Sequence, residues 1–278
     1  MYGLRRSMND HATALFIRDG DGFRATRLSA GPWSPEALHG GPPAALLARA
    51  IEGFEDGKGF MVTRVTVELL KPVPFERLEI STRFERPGRN VQIVEATLRT
   101  EQKEVARARG LRIRRSEVSL PDDLPSRNRS RDRAYAGPSE GSPLQAGSGP
   151  FHPGFHSDGV EHRFVEGSFE ESGPAVDWIR VRYPLLEDEP LSPLCRTCAV
   201  ADFGNGISGL LAGTHTYINP DLTVYLHRYP EGEWICLDSV TRVQAEGIAL
   251  AQSQLGDERG PIGIAAQSLI VSEREEGG

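Results

Sequence analysis

The sequence predicts an α+β protein made of two tandem copies of one unit, each an antiparallel sheet wrapped around a central helix. Two observations support this prediction. The first is an internal repeat, in which a shift of 157 residues places the second half of the chain on the first. The second is the order of local patterns in each half, where a short apolar segment with helical spacing precedes several segments that alternate apolar and polar residues.

The repeat runs without a gap through the alternating segments. Its matched pairs are Thr66 with Thr223, Val67 with Val224, Leu69 with Leu226, Lys71 with Arg228, Val91 with Ile248, Leu98 with Leu255, Ala108 with Ala265 and Ile113 with Ile270. Upstream, Ser34–Pro35 recurs as Ser192–Pro193 with a shift of 158. The alternative, a coincidence of common apolar residues, does not account for one constant offset over so long a span. We therefore predict an N-terminal unit at 10–115 and a C-terminal unit at 162–275.

Each unit contains the same kinds of element in the same order. In the first, Leu46, Leu47, Ala50 and Ile51 lie on one face of a helix over Ala44–Ile51. A strand at Leu28–Trp33 precedes that helix, and the strands after it are predicted at Val62–Leu70, Leu78–Phe84, Val91–Thr100 and Val105–Ile113. In the second unit a helix within Leu194–Leu211 is flanked by strands at Phe164–Glu170, Val176–Tyr183, Thr214–Leu226, Trp234–Gln244, Ile248–Gln254 and Ile262–Val271. Because exposed edge strands tend to pair, we expect the two sheets to join into one.

The segment between the units, 116–161, is predicted to be an exposed linker, because its Arg, Pro, Ser and Gly residues offer little apolar area to bury. A basic cluster of seven arginines lies between Arg112 and Arg133, but aromatic residues are nearly absent there and the net charge is −7, which argues against a nucleic-acid partner. No apolar run approaches the roughly 20 residues that span a bilayer. With three cysteines, we expect a cytoplasmic protein without a membrane partner.

A set of short motifs points to a family. They are His39-Gly40-Gly41 before the first helix, Lys71-Pro72, Asp202, the run Asn219–Arg228 and Gln267. As a set they resemble the tandem hot-dog acyl-CoA thioesterases, also called thioesterase II, over most of the chain outside the linker. The resemblance implies a double hot-dog fold, an acyl-CoA or similar acyl-thioester substrate, and no metal or organic cofactor. We also expect a homo-oligomer, a dimer of double hot-dogs.

In that family an Asp of the second helix, a Thr at the start of the next strand and a Gln on the last strand hold the hydrolytic water. By position, the resemblance implies that Asp202, Asn219 and Gln267 are the catalytic residues here. Asn219 replaces the Thr of the family, but its amide still offers a donor and an acceptor to a water molecule. Thr223 is the other candidate for the hydroxyl. The expected substrate-binding residues are His39, Gly40, Gly41 and Thr223.

The chemistry agrees with these residue types. Thioester hydrolysis needs a water, a base and donors for the oxyanion; a carboxylate with amide side chains supplies the base, and backbone N–H groups at a helix N-terminus supply the donors. Gly40 and Gly41 allow a carbonyl group to approach such N–H groups. The repeat also places Gly110 opposite Gln267, and alanine (Ala44 or Ala45) opposite Asp202. This asymmetry predicts one working site, with the first unit contributing its Gly40 end.

Three other interpretations remain open. A hydratase-type or acyl-thioester-binding hot-dog protein requires His39 or His215 within hydrogen-bonding reach of Asp202. A nucleotide-binding oxidoreductase is suggested by G-x-G-x-x-G at Gly204–Gly209, although the residues that follow are too few for the helix and parallel strand of that motif. Finally, a purely structural interpretation of Asp202 is that it caps a helix that begins near Phe203.

Overall fold

One antiparallel sheet of 14 strands wraps around two main helices in the computed structural model, which describes residues 12–32, 34, 36–55, 57–122, 135–143, 153–211 and 213–274. The predicted double hot-dog fold is confirmed. The helices are α1 (Gly41–Gly53), α2 (Pro193–Ala201) and the short α3 (Gly204–Ile207). The strands are β1 (Phe16–Asp19), β2 (Gly22–Ala25), β3 (Phe60–Leu69), β4 (Arg77–Arg86), β5 (Val91–Arg99), β6 (Glu104–Arg114), β7 (Ser142–Pro143), β8 (Val160–Glu166), β9 (Ala175–Val181), β10 (His215–Ile218), β11 (Asp221–Leu226), β12 (Trp234–Val243), β13 (Ile248–Asp257) and β14 (Gly260–Glu273). No helix in the described part of the chain combines the length and apolar character needed to cross a bilayer.

The two halves join through β3 and β11. The strand order is β1-β2-β4-β5-β6-β3-β11-β14-β13-β12-β9-β8-β7, and β10 pairs with the end of β14. In the antiparallel β3–β11 pair, Thr66 lies opposite Thr223, and the Thr223 hydroxyl donates to the Thr66 hydroxyl over 3.3 Å. Because these two residues are equivalent in the repeat, a pseudo-two-fold axis passes between them.

The helices pack side by side on the concave face of the sheet. The apolar stripe predicted for α1 is buried, with Leu46, Leu47 and Ile51 all 0% exposed. The start of α1 lies against the end of α2, where a Cβ on Gly41 would be 2.3 Å from the carbonyl oxygen of Ala199. Only glycine permits this approach, which fixes the two helix ends relative to each other.

Arg112, the first member of the basic cluster seen in the sequence, is a buried structural residue that is 1% exposed. Its guanidinium donates to the carbonyl oxygens of Phe54 at 2.7 Å and Ile51 at 3.3 Å, and to Gln92 Oε1 at 2.7 Å. A cation that binds the last carbonyl groups of a helix stabilises its C-terminal end, here the end of α1. Other members of the predicted cluster, Arg127, Arg129, Arg131 and Arg133, lie outside the described residues.

The exposed character predicted for 116–161 holds for Ala136 and for both residues of β7, but not for 154–161, where Phe155 and Val160 are buried. Strand β7 pairs with β8, and the carbonyl oxygen of Ala136 accepts a 2.8 Å hydrogen bond from the Trp178 indole. Phe155, in a single π-helical turn at Phe155–Gly159, is 0% exposed and belongs to the main core. Phe155 therefore anchors this part of the chain to the core. The average composition of 116–161 did not indicate this, because a single aromatic residue changes it little.

Three local predictions also differ from the structure. The predicted strand at Leu28–Trp33 overlaps a 3₁₀ turn at Arg27–Ser29, while Trp33 lies outside the described residues. The upstream shift of 158 is wrong for the helices, because Ser192 is the N-cap of α2 whereas α1 begins at Gly41, so the helix starts are 152 residues apart. Strands β1 and β2 were not predicted; each has four residues, too few for an alternating pattern to show.

Candidate active site

The predicted catalytic residues meet where the start of α1 contacts the end of α2. Asp202 is the C-cap residue of α2 and is 5% exposed. Asn219 lies in the corner between β10 and β11, and Gln267 lies within β14 and is 1% exposed. His39 and Gly40 immediately precede α1. The site therefore draws on both units, as the asymmetry of the repeat predicts.

The Asp202 carboxylate is the centre of the hydrogen-bond network. Its Oδ1 accepts from Asn219 Nδ2 at 2.8 Å and from Gln267 Nε2 at 3.1 Å. Gln267 Nε2 also donates to the Asp202 backbone oxygen at 3.3 Å, and its Oε1 accepts from the Asn205 N–H at 3.2 Å. Both ends of the Gln267 amide therefore hold the Asp202 carboxylate and the α2–α3 turn. Within the described residues, Asn219 makes one hydrogen bond of this network, from Nδ2 to Asp202.

The second carboxylate oxygen, Oδ2, faces Gly40 and His39. A Cβ on Gly40 would lie 2.7 Å from Asp202 Oδ2 and 3.0 Å from Oδ1. The φ angle of Gly40 is −65°, which any residue adopts. Glycine is needed there for space, because a side chain would occupy the volume directly in front of the carboxylate.

One proton decides which hydrogen bonds form around His39. Its Nδ1 lies 2.9 Å from Asp202 Oδ2 and 3.1 Å from the backbone nitrogen of Gly41. A ring nitrogen that carries a proton donates to the carboxylate, and one without a proton accepts from the Gly41 N–H. When Asp202 is ionised and Nδ1 is protonated, the Gly41 N–H at the start of α1 is left for another acceptor.

Two aromatic rings enclose His39. The Phe203 ring centroid lies 4.7 Å from that of His39, and the Phe155 centroid lies 5.3 Å away. The two phenylalanine rings stack at 5.6 Å. Neither was predicted as a site residue, since Phe155 falls in the predicted linker and Phe203 was considered only as a helix start. By excluding water they strengthen the electrostatic interaction between His39 and Asp202.

A second Asp–His pair lies behind this cluster. His162 Nδ1 is 2.5 Å from Asp177 Oδ2, and His162 Nε2 is 3.0 Å from the carbonyl oxygen of His156. Burial raises the pKa of Asp177 above its usual value, opposed by His162. Burial, with His39 and His162 nearby, lowers the pKa of His156 to about 4, so this imidazole is neutral at physiological pH. The pair supports the turn that carries Phe155.

Other predicted residues lie outside this network. Thr223 is at the β3–β11 seam, where its hydroxyl bonds to Thr66. His215 Nδ1 lies 2.9 Å from Thr214 Oγ1 instead, so of the two histidines considered, His39 is the one bonded to Asp202. The interpretation of Asp202 as a cap of the next helix does not apply, because the N-cap residue of α3 is Phe203. The Asp202 carboxylate bonds to the side chains of Asn219 and Gln267 instead.

The glycines at 204–209 serve packing. Helix α3 has four residues, and a Cβ on Gly204 would lie 2.8 Å from Ser253 Oγ and 3.1 Å from Gln267 Oε1. Among the described residues every paired strand is antiparallel to its neighbour, so the parallel β-α-β unit of a dinucleotide site is not formed there.

Comparison with protein families gives two matches in tandem. The model described as the acyl-CoA thioesterase N-terminal domain matches residues 29–113, and the one described as the acyl-CoA thioesterase C-terminal domain matches residues 131–271. No curated protein matches the chain.

Solved structures share the whole fold at low identity. A Thermobifida fusca protein described as a thioesterase II is 17% identical, with a TM-score of 0.72 and coverage of 94% of this chain and 96% of that one. A hot-dog protein of unknown function from Alicyclobacillus acidocaldarius is 17% identical, with a TM-score of 0.69 and coverage of 96% and 97%. The acyl-CoA thioesterase II TesB2 of Mycobacterium marinum is 15% identical, with a TM-score of 0.60 and coverage of 96% of both chains.

Proposed function

Because the chain belongs to the acyl-CoA thioesterase family, we propose that it hydrolyses acyl-CoA to a carboxylic acid and free thiol with a water molecule activated at Asp202. The observation that carries this proposal is a buried carboxylate held by two amide donors, with the Gly40 backbone packed against it at the N-terminus of a helix. Base, water position and oxyanion donor then lie within a few ångströms of one another.

In the proposed reaction the thioester carbonyl lies against the Gly40 backbone, beside the Asp202 carboxylate. A water bound by Asp202 and by the amide group of Asn219 adds to the carbonyl carbon, and Asp202 takes its proton. The developing oxyanion accepts from the Gly41 N–H. When the tetrahedral intermediate collapses, the carbon–sulfur bond breaks and the thiolate takes the proton from Asp202, which regenerates the carboxylate.

His39 makes the oxyanion donor available in this scheme. With Asp202 ionised, Nδ1 donates to the carboxylate and does not compete for the Gly41 N–H. Gln267 acts as a positioning residue, because its amide bonds to Asp202 and Asn205 on both sides. The replacement of the family Thr by Asn219 keeps a donor to Asp202 and an acceptor for the water.

A thiol-release assay over acyl-CoA substrates of increasing chain length tests the proposal. Asp202→Asn keeps the shape of the side chain but removes the base, and we expect the rate to fall about 10²–10⁴-fold. The matched control is Asp257→Asn, a buried carboxylate that bonds to Arg228 away from the site; it should keep its rate while folded. Equal rates for Asp202→Asn and wild type would refute the assignment.

The His39–Asp202 contact favours a second candidate, hydration of an enoyl thioester, since hydratases of this fold use an Asp–His pair. The two reactions have different products. A hydratase converts a 2-enoyl-CoA to a hydroxyacyl-CoA, with loss of the conjugated double bond and no release of thiol, and leaves saturated acyl-CoA unchanged. Thiol release from a saturated substrate therefore supports the thioesterase, and loss of enoyl absorbance without thiol supports the hydratase.

A further inference from the structure

The pseudo-two-fold axis relates the active-site junction to a second junction, between the end of α1 and the start of α2, where a tyrosine hydroxyl is bound. The Val62 backbone N–H donates to the hydroxyl oxygen of Tyr229 at 3.0 Å. Burial, with the Glu52 carboxylate beside the hydroxyl, raises the pKa of Tyr229 above its ordinary value, so the hydroxyl keeps its proton. The hydroxyl thus accepts from a backbone N–H and hydrogen-bonds to a carboxylate.

The carboxylates of the two junctions have similar surroundings. Glu52 lies in the last turn of α1 and accepts a 2.6 Å hydrogen bond from the hydroxyl of Ser192, the N-cap of α2. Asp202 ends α2 and lies against Gly40, the N-cap of α1. Each junction therefore places a carboxylate at the end of one helix, beside the N-cap residue of the other.

The backbone N–H that binds the tyrosine hydroxyl also has an equivalent at the active site. Val62 and Asn219 are related by the shift of 157 residues. The pairs that precede them in the sheet are repeat equivalents too: Met61 with Ile113, and Ile218 with Ile270. The Asn219 N–H therefore occupies the same place at the active junction as the Val62 N–H at the second junction.

The repeat equivalent of Tyr229 is Pro72. Two residues before these positions the two chain segments make the same backbone hydrogen bonds at 3.0 Å: Leu70 N–H to the Val105 oxygen, and His227 N–H to the Ile262 oxygen. Proline has no hydroxyl, so the Asn219 N–H lacks the acceptor that Tyr229 supplies to Val62.

Backbone hydrogen bonds place Pro72 beside the candidate site. On one side of it, the Leu69 N–H donates at 2.7 Å to the oxygen of Pro220, the residue after Asn219. On the other side, the Val73 oxygen accepts at 2.8 Å from the N–H of Leu38, the residue before His39. Residues 69–73 thus run from the Asn219 corner to the segment that carries His39.

We propose that the Asn219 backbone N–H is a further donor to the hydrolytic water, which binds at the active junction where the Tyr229 hydroxyl binds at the second. This inference rests on the proposed function, because it concerns the water of that reaction. A water, like a hydroxyl, accepts from an N–H and donates to a carboxylate, whereas a thioester carbonyl only accepts. Pro72 leaves room for the water, and Tyr229 fills the equivalent position at the second junction.

A crystal structure of the wild-type chain tests the water position without any hydrolysis. We expect an ordered water at about 2.7–3.2 Å from both the Asn219 nitrogen and an Asp202 carboxylate oxygen. A structure in which both residues are ordered and no water bridges them would overturn the proposal. This readout does not depend on activity, so a chain that binds the water but releases no thiol would contradict the proposed function alone.

A variant with the tyrosine of the second junction at the active one tests the same water in the reaction. In Pro72→Tyr the introduced hydroxyl should displace the water, so kcat for thiol release should fall about 10²-fold or more with KM nearly unchanged. Pro121→Tyr, the same exchange at an exposed position, is the matched control and should keep the wild-type kcat. A folded Pro72→Tyr variant with the wild-type kcat, or with only a raised KM, would contradict the proposal. If that variant does not fold, the wild-type crystal structure still decides.

Discussion

At the scale of single residues, the site depends on which atoms share the Asp202 carboxylate. Gln267 is held at both ends of its amide, whereas Asn219 is held through one N–H within the described residues. His39 is held through Nδ1, and the position of the Nδ1 proton determines whether the Gly41 N–H is free to bind an oxyanion. In the proposed reaction, Gln267 therefore positions the base, Asn219 faces the water and His39 controls the oxyanion donor.

Gly40 provides the sharpest test at this scale. We expect Gly40→Ala to lower kcat about 10²-fold, because its methyl group would lie 2.7 Å from Asp202 Oδ2 and would displace either the carboxylate or the substrate carbonyl. The matched control is Gly53→Ala at the other end of α1, where a Cβ meets no atom within 4 Å. That control should keep kcat and gain up to about 1 kcal/mol in stability. Equal activity of the two alanine variants would show that the space in front of the carboxylate is unimportant.

At the scale of elements, the two units stabilise equivalent turns with different residues. Each has a turn after its third long strand, at repeat positions Thr100 and Asp257. The Thr100 hydroxyl accepts from the N–H groups of Gln102 and Lys103. Asp257 accepts from the N–H of Arg259 and also binds Arg228 through both carboxylate oxygens. The second unit has thus added an ion pair that ties the β13–β14 turn to the end of β11.

This ion pair should make the stability of the chain sensitive to acid. Burial opposes ionisation of Asp257, but its hydrogen bonds from Arg228 and from the N–H groups of Glu231 and Arg259 outweigh burial and hold its pKa below the usual value. A carboxylate with a depressed pKa stabilises the fold above its unfolded-state pKa of about 3.9, and this contribution is lost as pH falls through the lower folded-state value. We expect Asp257→Asn to cost about 1.5–3 kcal/mol at pH 7 and progressively less below about pH 4. Urea unfolding of both proteins across that range measures the gap, and a gap independent of pH would contradict the argument.

The glycine opposite Gln267 in the repeat gives a second prediction for an element. A Cβ on Gly110 would lie 2.2 Å from Ile51 Cγ2, so β6 and α1 are in contact with no space between them. We expect Gly110→Ala to destabilise the chain by about 1–3 kcal/mol through overpacking. Ile51→Ala removes the clashing atom, so the double variant should be more stable than the sum of the two single effects predicts. Additive effects in thermal unfolding would show that the contact does not limit the packing.

At the scale of the whole molecule, the fold could be predicted from the sequence because the same order of helix and strand patterns occurs in both halves of the chain. The long strands and the buried face of α1 follow from alternation and helical spacing, and the repeat residues Thr66 and Thr223 lie opposite each other in the sheet. In the site, Asp202 and Gln267 were inferred from the family resemblance and from the asymmetry of the repeat. Phe155 was missed because it comes from far along the chain and its neighbours are mostly Gly and Pro. Long-range packing of a single side chain leaves no periodic pattern.

Phe155 therefore tests whether the segment between the units belongs to the active site. It is 0% exposed and contacts His39, so Phe155→Ala should cost about 3–5 kcal/mol of stability and also lower kcat by loosening the His39 ring. Phe16→Ala is the matched control, since Phe16 is equally buried but lies in β1. At a temperature where both variants remain folded, the control should keep the wild-type kcat. If both variants lose stability and neither loses kcat, the segment contributes only packing; a loss of kcat confined to Phe155→Ala makes it part of the catalytic unit, because the ring that orders His39 is then supplied by the connection between the two halves.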